Sequence, residues 1–280
     1  MNKALAIFEL MRLDKPIGIY LLLWPALLAL VISTNGDFEY ADLLIVITGS
    51  ILVRSAGCVI NDIWDKDLDG GVERTKTRPI PSKKLSISES WTVFAILGVL
   101  SLMLLSLTNT NTIYVSICFG LMIVIYPLTK RFFIGPQIFL GLTFNPTIIV
   151  YAMTNELNNP TMIFLYFAIA AKTIAFDSFY GLCDIDDDKK LGINSTPLWW
   201  GSKTLLIIAI LQFTVIGLLL IVGLKAGLSF AWYIGIILLS SFYFYQHRLA
   251  TQKNFLLAFK NNHWASLYLL MLSGFCFLII

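Results

Sequence analysis

The sequence predicts an all-α polytopic membrane protein of about nine transmembrane helices around a central cavity, with its N-terminus cytoplasmic. Three observations lead there. Hydrophobic residues make up 58 % of the 280 and charged residues only 13 %, too little polar surface to cover a soluble globule. Apolar runs recur along the whole chain, each long enough, at about 1.5 Å per helical residue, to cross a core of about 30 Å with help from flanking residues. Lysine and arginine fall almost entirely on alternate connections between them.

The runs are 16–32, 42–59, 91–107, 113–128, 134–153, 162–183, 205–224, 226–245 and 264–280. The first has no small-residue cleavage site after it, so it reads as a retained span and not a signal peptide. Three cations precede it (Lys3, Arg12, Lys15), six follow the second run, two the fourth (Lys130, Arg131), three the sixth (Lys189, Lys190, Lys203) and three the eighth (Arg248, Lys253, Lys260). Only Lys225 falls on the other side. The positive-inside rule makes the cation-rich side cytoplasmic and leaves the C-terminus outside. No connection is long enough to fold by itself, so residues 1–280 form a single transmembrane domain. Cys58, Cys118, Cys183 and Cys276 lie singly in or beside apolar runs, without metal or disulfide spacing, and read as packing residues.

Against this background the carboxylates are concentrated. The stretches Asn61–Asp69 and Asp184–Lys190 hold eight of the seventeen, each abuts an apolar run, and both face the cytoplasm. Asp62, Asp65 and Asp69 sit at i, i+3 and i+7, and Asn61, Asp65 and Asp69 at i, i+4 and i+8, so a continuing second helix presents them on one face with Asp67 pointing away. Gly70 and Gly71 then end that helix. Asp177, Asp184 and Asp188 recur at i, i+7 and i+11, with Tyr180 and Asp187 close by, again on one helical face. Oxygen-only ligands without His or Cys suit Mg²⁺ or Mn²⁺ and not Zn²⁺. Because Mg²⁺ is usually shared with substrate phosphates, two facing stripes suggest a diphosphate held between them. Ordinary solvated helix ends would not need two such clusters flanked by so many cations.

Those cations include Arg74, Lys76, Arg78, Lys83 and Lys84 after the first stripe, and Lys130 and Arg131 at the end of the fourth run. Arg74 and Arg78, at i, i+4 before Pro79, are favoured over Lys83 and Lys84 as loop-borne phosphate ligands. Tyr126 and Lys130 are also i, i+4, although a snorkelling lysine accounts for Lys130 equally well. Arg54 and Lys172 fall inside spans, where a charge costs about 2.5–3.5 kcal/mol on insertion scales and usually lines a cavity. Arg54 lies two turns before Asn61 on the same face. The facing of Lys172 stays open. His247 and His263, in or beside the last cytoplasmic loop, have no nucleophile constellation around them, and no Walker-type phosphate loop occurs.

The run Met11-Arg12-Leu13-Asp14-Lys15-Pro16-Ile17-Gly18, continued by Leu21-Leu22-Leu23-Trp24-Pro25, resembles the N-terminal signature of UbiA-type 4-hydroxybenzoate polyprenyltransferases. Asn61-Asp62 through Asp65 and Asp69 is similar to the first motif of that family, NDxxDxxxD, and Arg74-Thr75 with Arg78-Pro79 to the segment after it. Tyr126 to Lys130 resembles the YxxxK element and Asp184 to Asp188 the second DxxxD motif. The resemblance runs from about Arg12 to Gly201. It departs at Ser178, where Thr is usual, and at Asn194, where Lys is common; the last two runs carry no matching motif.

The resemblance implies Mg²⁺-dependent transfer of a polyprenyl group from polyprenyl diphosphate to the carbon ortho to the hydroxyl of 4-hydroxybenzoate, in ubiquinone biosynthesis at the bacterial inner membrane. It implies Asp62, Asp65, Asp69, Asp184 and Asp188 as metal ligands, and Asn61, Arg74, Arg78, Tyr126, Lys130 and Lys190 as diphosphate ligands. Asp177, with Asp62 and Asp184, is implied as catalytic, Asp177 stabilising the allylic cation or receiving the ring proton. Arg54 is the candidate for the acceptor carboxylate, with Lys172 a weaker one. Haem O synthase and naphthoate prenyltransferases share the Asp motifs, and the Leu-Leu-Leu-Trp-Pro run favours the benzoate enzyme. A cation-coupled transporter would not need two Asp stripes. A CDP-alcohol phosphotransferase is excluded because Glu73 and Lys83 stand where its motif requires Ala and Gly. No nucleic-acid or protein partner is indicated.

Overall fold

The computed structural model of the protein describes residues 3–279. Among the described residues there is no strand. The helices are α1 (Lys3–Leu10), α2 (Ile17–Ser33), α3 (Tyr40–Trp64), α4 (Ile87–Leu105), α5 (Thr110–Thr129), α6 (Pro136–Thr143), α7 (Thr147–Met153), α8 (Thr161–Gly181), α9 (Ile185–Leu191), α10 (Thr196–Trp200), α11 (Thr204–Lys225), α12 (Phe230–Thr251) and α13 (Phe255–Leu278). Five stretches are long and apolar enough to cross a membrane, Tyr40–Trp64, Ile87–Leu105, Thr110–Thr129, Thr161–Gly181 and Thr196–Lys225, and Ile17–Ser33 is a shorter apolar helix.

Local chemistry sets the helix ends. Ser86 accepts from the Glu89 N–H while the Glu89 carboxylate accepts from the Ser86 N–H, a capping box that starts α4. Asn109 accepts from Thr112 N–H at the start of α5, and its amide donates to the carbonyls of Ala152 and Met153, fastening α5 to the end of α7. Arg131 donates to the Trp64 carbonyl at 2.5 Å, meeting the negative end of α3.

Eight of the nine expected spans are helices at nearly the expected places; the run 134–153 is not one helix. It breaks at Phe144-Asn145-Pro146, because Pro146 has no N–H to donate and clashes with the preceding turn. The exposed backbone is met from α8: Tyr166 donates its hydroxyl to Leu142 O at 2.9 Å, and Asn145 donates to Tyr166 O at 2.8 Å. The last helix starts at Phe255, well before Trp264, so His263 lies within α13, and His247 lies within α12.

Both acid-rich stretches also break where continuous helices were expected. α3 ends at Trp64, with Asp65 as its C-cap and Asp69 opening a 3-10 turn, Asp69–Gly71, so the glycines do not end α3. α8 ends at Gly181, and Asp184 is the N-cap of the separate α9. Adjacent carboxylates repel one another along one helix face, and the turns let each find its own cation.

The long helices close into a ring. α2 packs on α3, α3 on α4 and α5, α5 on α6 and α7, α6 on α8, α8 on α11, α11 on α12, α12 on α13, and α13 back on α2. Buried Leu28, Leu30, Tyr151, Leu165, Leu219 and Trp232 fill one end. A cavity of about 1270 Å³ opens among α2, α3, α4, α5, α7 and α13.

Candidate active site

Asp62, Asp65 and Asp69 are only 1 %, 2 % and 5 % exposed, a burial that carboxylates tolerate only when paired. Asp67 is exposed, as the spacing predicts. Arg12 donates to both oxygens of Asp62, at 2.8 and 2.7 Å. Arg78 donates to Asp62 at 3.0 Å and to Asp69 at 2.7 Å. Lys130 reaches Asp65 at 2.5 Å, and Asn61 donates to the same oxygen at 3.1 Å. Arg74 forms a two-pronged pair with Asp184, its Nε 2.9 Å from Oδ1 and its Nη2 on Oδ2, while its guanidinium lies over the Tyr180 ring at 4.5 Å. That pair ties the first acid-rich segment to the second.

Electrostatics follow from this packing. Burial pushes the Asp65 carboxyl up, with Lys130 pulling against it. Burial, and then the adjacent Asp184, push Asp188 up to about 6. Burial acts to lower Arg78, but Asp62 and Asp69 outweigh it, and the net shift is upward.

Arg54, Asn61, Asp62, Arg74, Arg78, Tyr126 and Asp177 all line the cavity. Asp65, Asp69, Lys130 and Asp184 join them through the ion pairs just described, and Asp188 stands beside Asp184. Lys190 is not brought in: it is exposed on α9 and pairs with Asp187 at 3.4 Å. Lys172, on α8, is buried against α13, donating to Ser266 Oγ at 2.5 Å, and does not line the cavity. Arg74, Arg78 and Lys130, expected on phosphate oxygens, engage carboxylates, because buried anions draw in the nearest cations.

Arg54 is the exception among these cations. No carboxylate pairs with it among the described residues; its guanidinium lies 5.4 Å from the centre of the Phe144 ring, and its buried Nε has no hydrogen-bond partner. Asp177 has Arg54 and Arg74 as its neighbouring cations.

Three contributors escaped the sequence reading. Arg12 looked like a positive-inside anchor, yet it grips Asp62 from a left-handed backbone, φ 58°, a conformation kept in non-glycine residues where surroundings impose it. Gly18 packs directly on Arg54. Phe144 reaches Arg54 only because the 134–153 run breaks; Pro146 was the available signal.

The donor set fits a hard divalent cation. It is all oxygen, and Asp65 Oδ1 is buried without a hydrogen-bond partner. Among the described residues no three acidic, His or Cys side chains converge to hold a metal by themselves.

Residues 22–277 match the UbiA prenyltransferase family. The chain is 40 % identical over 265 residues, 92 % of its own length and 89 % of the relative's, to a 4-hydroxybenzoate octaprenyltransferase of Pseudomonas aeruginosa strain LESB58. It is 39 % identical over 276 residues, 96 % of each chain, to one of Vibrio campbellii. Its fold is similar to that of a UbiA homologue from Aeropyrum pernix K1, TM-score 0.79 at 22 % identity over 90 % of this chain and 94 % of that one. It is also similar to a UbiA homologue from Archaeoglobus fulgidus bound to GPP and Mg²⁺, TM-score 0.75 at 16 % identity, covering 98 % of this chain and 100 % of that one. With two acid-rich segments latched together at one cavity, and a family match across nearly its whole length, the chain belongs to the UbiA prenyltransferase family.

Proposed function

We infer that this protein transfers a polyprenyl group from polyprenyl diphosphate to the carbon ortho to the hydroxyl of 4-hydroxybenzoate, releasing diphosphate, in ubiquinone biosynthesis. The observation behind this reading is the polarity of one cavity. At one end the Arg74–Asp184 pair joins the acid-rich segments; the walls farther in are apolar, including Val46, Leu102, Leu105 and Phe119; and between them stands the unpaired Arg54.

Asp62, Asp65, Asp69, Asp184 and Asp188 would hold Mg²⁺, which supplies Lewis-acid stabilisation of the diphosphate leaving group. Binding of a diphosphate offers Arg74, Arg78 and Lys130 a second anion, and Asn61 and Tyr126 further hydrogen bonds to it. The apolar walls take the prenyl tail and exclude water from the allylic centre. Arg54, about 10 Å deeper than Asn61 by helical rise, holds the acceptor carboxylate. Asp177 faces the developing allylic charge and takes the ring proton that restores aromaticity. Nine membrane crossings in one domain, 1–280, with the N-terminus and the acid-rich segments on the cytoplasmic side of the inner membrane, follow from the loop cations. Lys190 falls outside this scheme.

Purified protein given Mg²⁺, a polyprenyl diphosphate and a panel of aromatic acceptors should release diphosphate and form prenylated 4-hydroxybenzoate. Prenylation of a naphthoate or of haem in its place would overturn the acceptor assignment, and no prenyl transfer to any aromatic would overturn the reaction.

A further inference from the structure

The cavity has a second wall that none of the residues above uses. Leu256, Phe259, Lys260 and His263, at i, i+3, i+4 and i+7 on α13, all line it. Facing them is α2. Gly18 turns toward Arg54, whereas Tyr20, two residues on and about 200° round the helix, turns toward α13, its ring 4.9 Å from that of His263. The cavity therefore wraps around the start of α2.

This wall has a defined chemistry. Trp24 donates its indole N–H to Nδ1 of His263 at 2.7 Å. An indole can only donate, so Nδ1 is the acceptor and the ring proton of the neutral imidazole sits on Nε2, which has no hydrogen-bond partner among the described residues. Lys260, one turn toward the start of α13, is exposed and has no acidic partner among the described residues. Ring faces continue from there to the reaction centre: Phe259 lies 4.8 Å from Tyr180, and Tyr180 lies under Arg74, which holds Asp184.

A lysine cation, an N–H donor and a row of aromatic faces are what a small aromatic carboxylate requires. We propose that Lys260 and His263 form a docking station for the aromatic acid acceptor, distinct from Arg54, from which the acid passes along Phe259 and Tyr180 to the reaction centre. This rests on the acceptor assignment above. Both are binding residues; neither touches the reacting atoms.

The test is steady-state kinetics of the full chain, with 4-hydroxybenzoate varied at saturating polyprenyl diphosphate and Mg²⁺. Lys260→Met and His263→Phe should each raise the KM for the acid roughly tenfold. Lys260→Arg should restore it, with kcat at saturating acid and the KM for the prenyl diphosphate unchanged. Lys260 is exposed, so its variants test the idea even if His263→Phe folds poorly. An unchanged acid KM in active Lys260→Met overturns the station and leaves Lys260 as an anchor to lipid phosphate, as does a loss of kcat alone. A wild-type protein that prenylates other aromatics but never 4-hydroxybenzoate overturns both the station and the acceptor assignment.

Discussion

A Cβ placed on Gly18 would stand 2.4 Å from Nε of Arg54, closer than a side-chain carbon can sit. The bare backbone of α2 is thus what lets an unpaired guanidinium lie along it and face the cavity. The obstructing atoms belong to the mobile end of Arg54, so Gly18→Ala displaces Arg54 without breaking the fold. Expected are near-normal thermal stability, since alanine gains about 1 kcal/mol of helix propensity over glycine, and an acid KM raised roughly tenfold or more. An unchanged acid KM would show that the position of Arg54 does not matter to the acceptor.

Arg54 and Arg78 should separate the two substrates. Removing one partner of a desolvated charge pair commonly costs about 2–5 kcal/mol, or roughly 30-fold to several-thousand-fold in affinity. Arg54→Leu should weaken use of the benzoate far more than use of the prenyl diphosphate. Arg78→Leu should do the reverse, and because Arg78 also neutralises Asp62 and Asp69 it should lower stability as well. Varying each substrate in turn decides between them; an Arg54→Leu enzyme with an unaltered KM for the benzoate rules out the carboxylate role.

Metal dependence follows from the oxygen-only donors and the orphaned Oδ1 of Asp65. Complete chelation should abolish turnover and added Mg²⁺ should restore it. Asp65→Ala and Asp188→Ala should each cut turnover by orders of magnitude in protein that still inserts and gives a normal helical circular dichroism spectrum. Persistence of turnover under full chelation would eliminate metal from the reaction.

Membrane topology can be mapped by labelling, after the four native cysteines are replaced. Single cysteines at Lys76 and Asn194 should react only from the cytoplasm, and those at Asn35 and Asn158 only from outside. Reaction of positions 76 and 194 from opposite faces would contradict the structure as well, because Asn194 N donates to the Lys130 carbonyl at 2.9 Å and Lys130 pairs with Asp65 of the first acid-rich segment.

Much of this was legible from spacing. Apolar length located eight long helices, and the clustering of Asp62, Asp65, Asp69 and Asp184 pointed to the candidate site, because burying so many anions near one another leaves little freedom about what must surround them. Pairing partners were not legible. Arg12, Arg78 and Lys130 carry the same charge as any anchoring cation, and which carboxylate each meets depends on the turns after Trp64 and Gly181, set by repulsion that helical periodicity does not encode. The break at Pro146 was signalled by composition but concealed by the apolar run around it. Lys190 faces water beside Asp187, a placement its position inside the motif did not signal.

The ion pairs of the site differ in how far they reach along the chain. Asp69 finds Arg78 nine residues away and Asp62 finds Arg12 fifty away, whereas Asp65 waits for Lys130, 65 residues on, and Arg74 for Asp184, 110 on. In a chain made N-terminus first, Asp62 and Asp69 are neutralised while only the first helices exist, and Asp65 and Arg74 stay open until α5 and then α8 are in place. The latch between the halves is the last of these bonds to close, so a nascent protein passes through a stage with its first acid cluster already folded and no competent centre, and chains stalled before residue 184 should accumulate as inserted but inactive fragments.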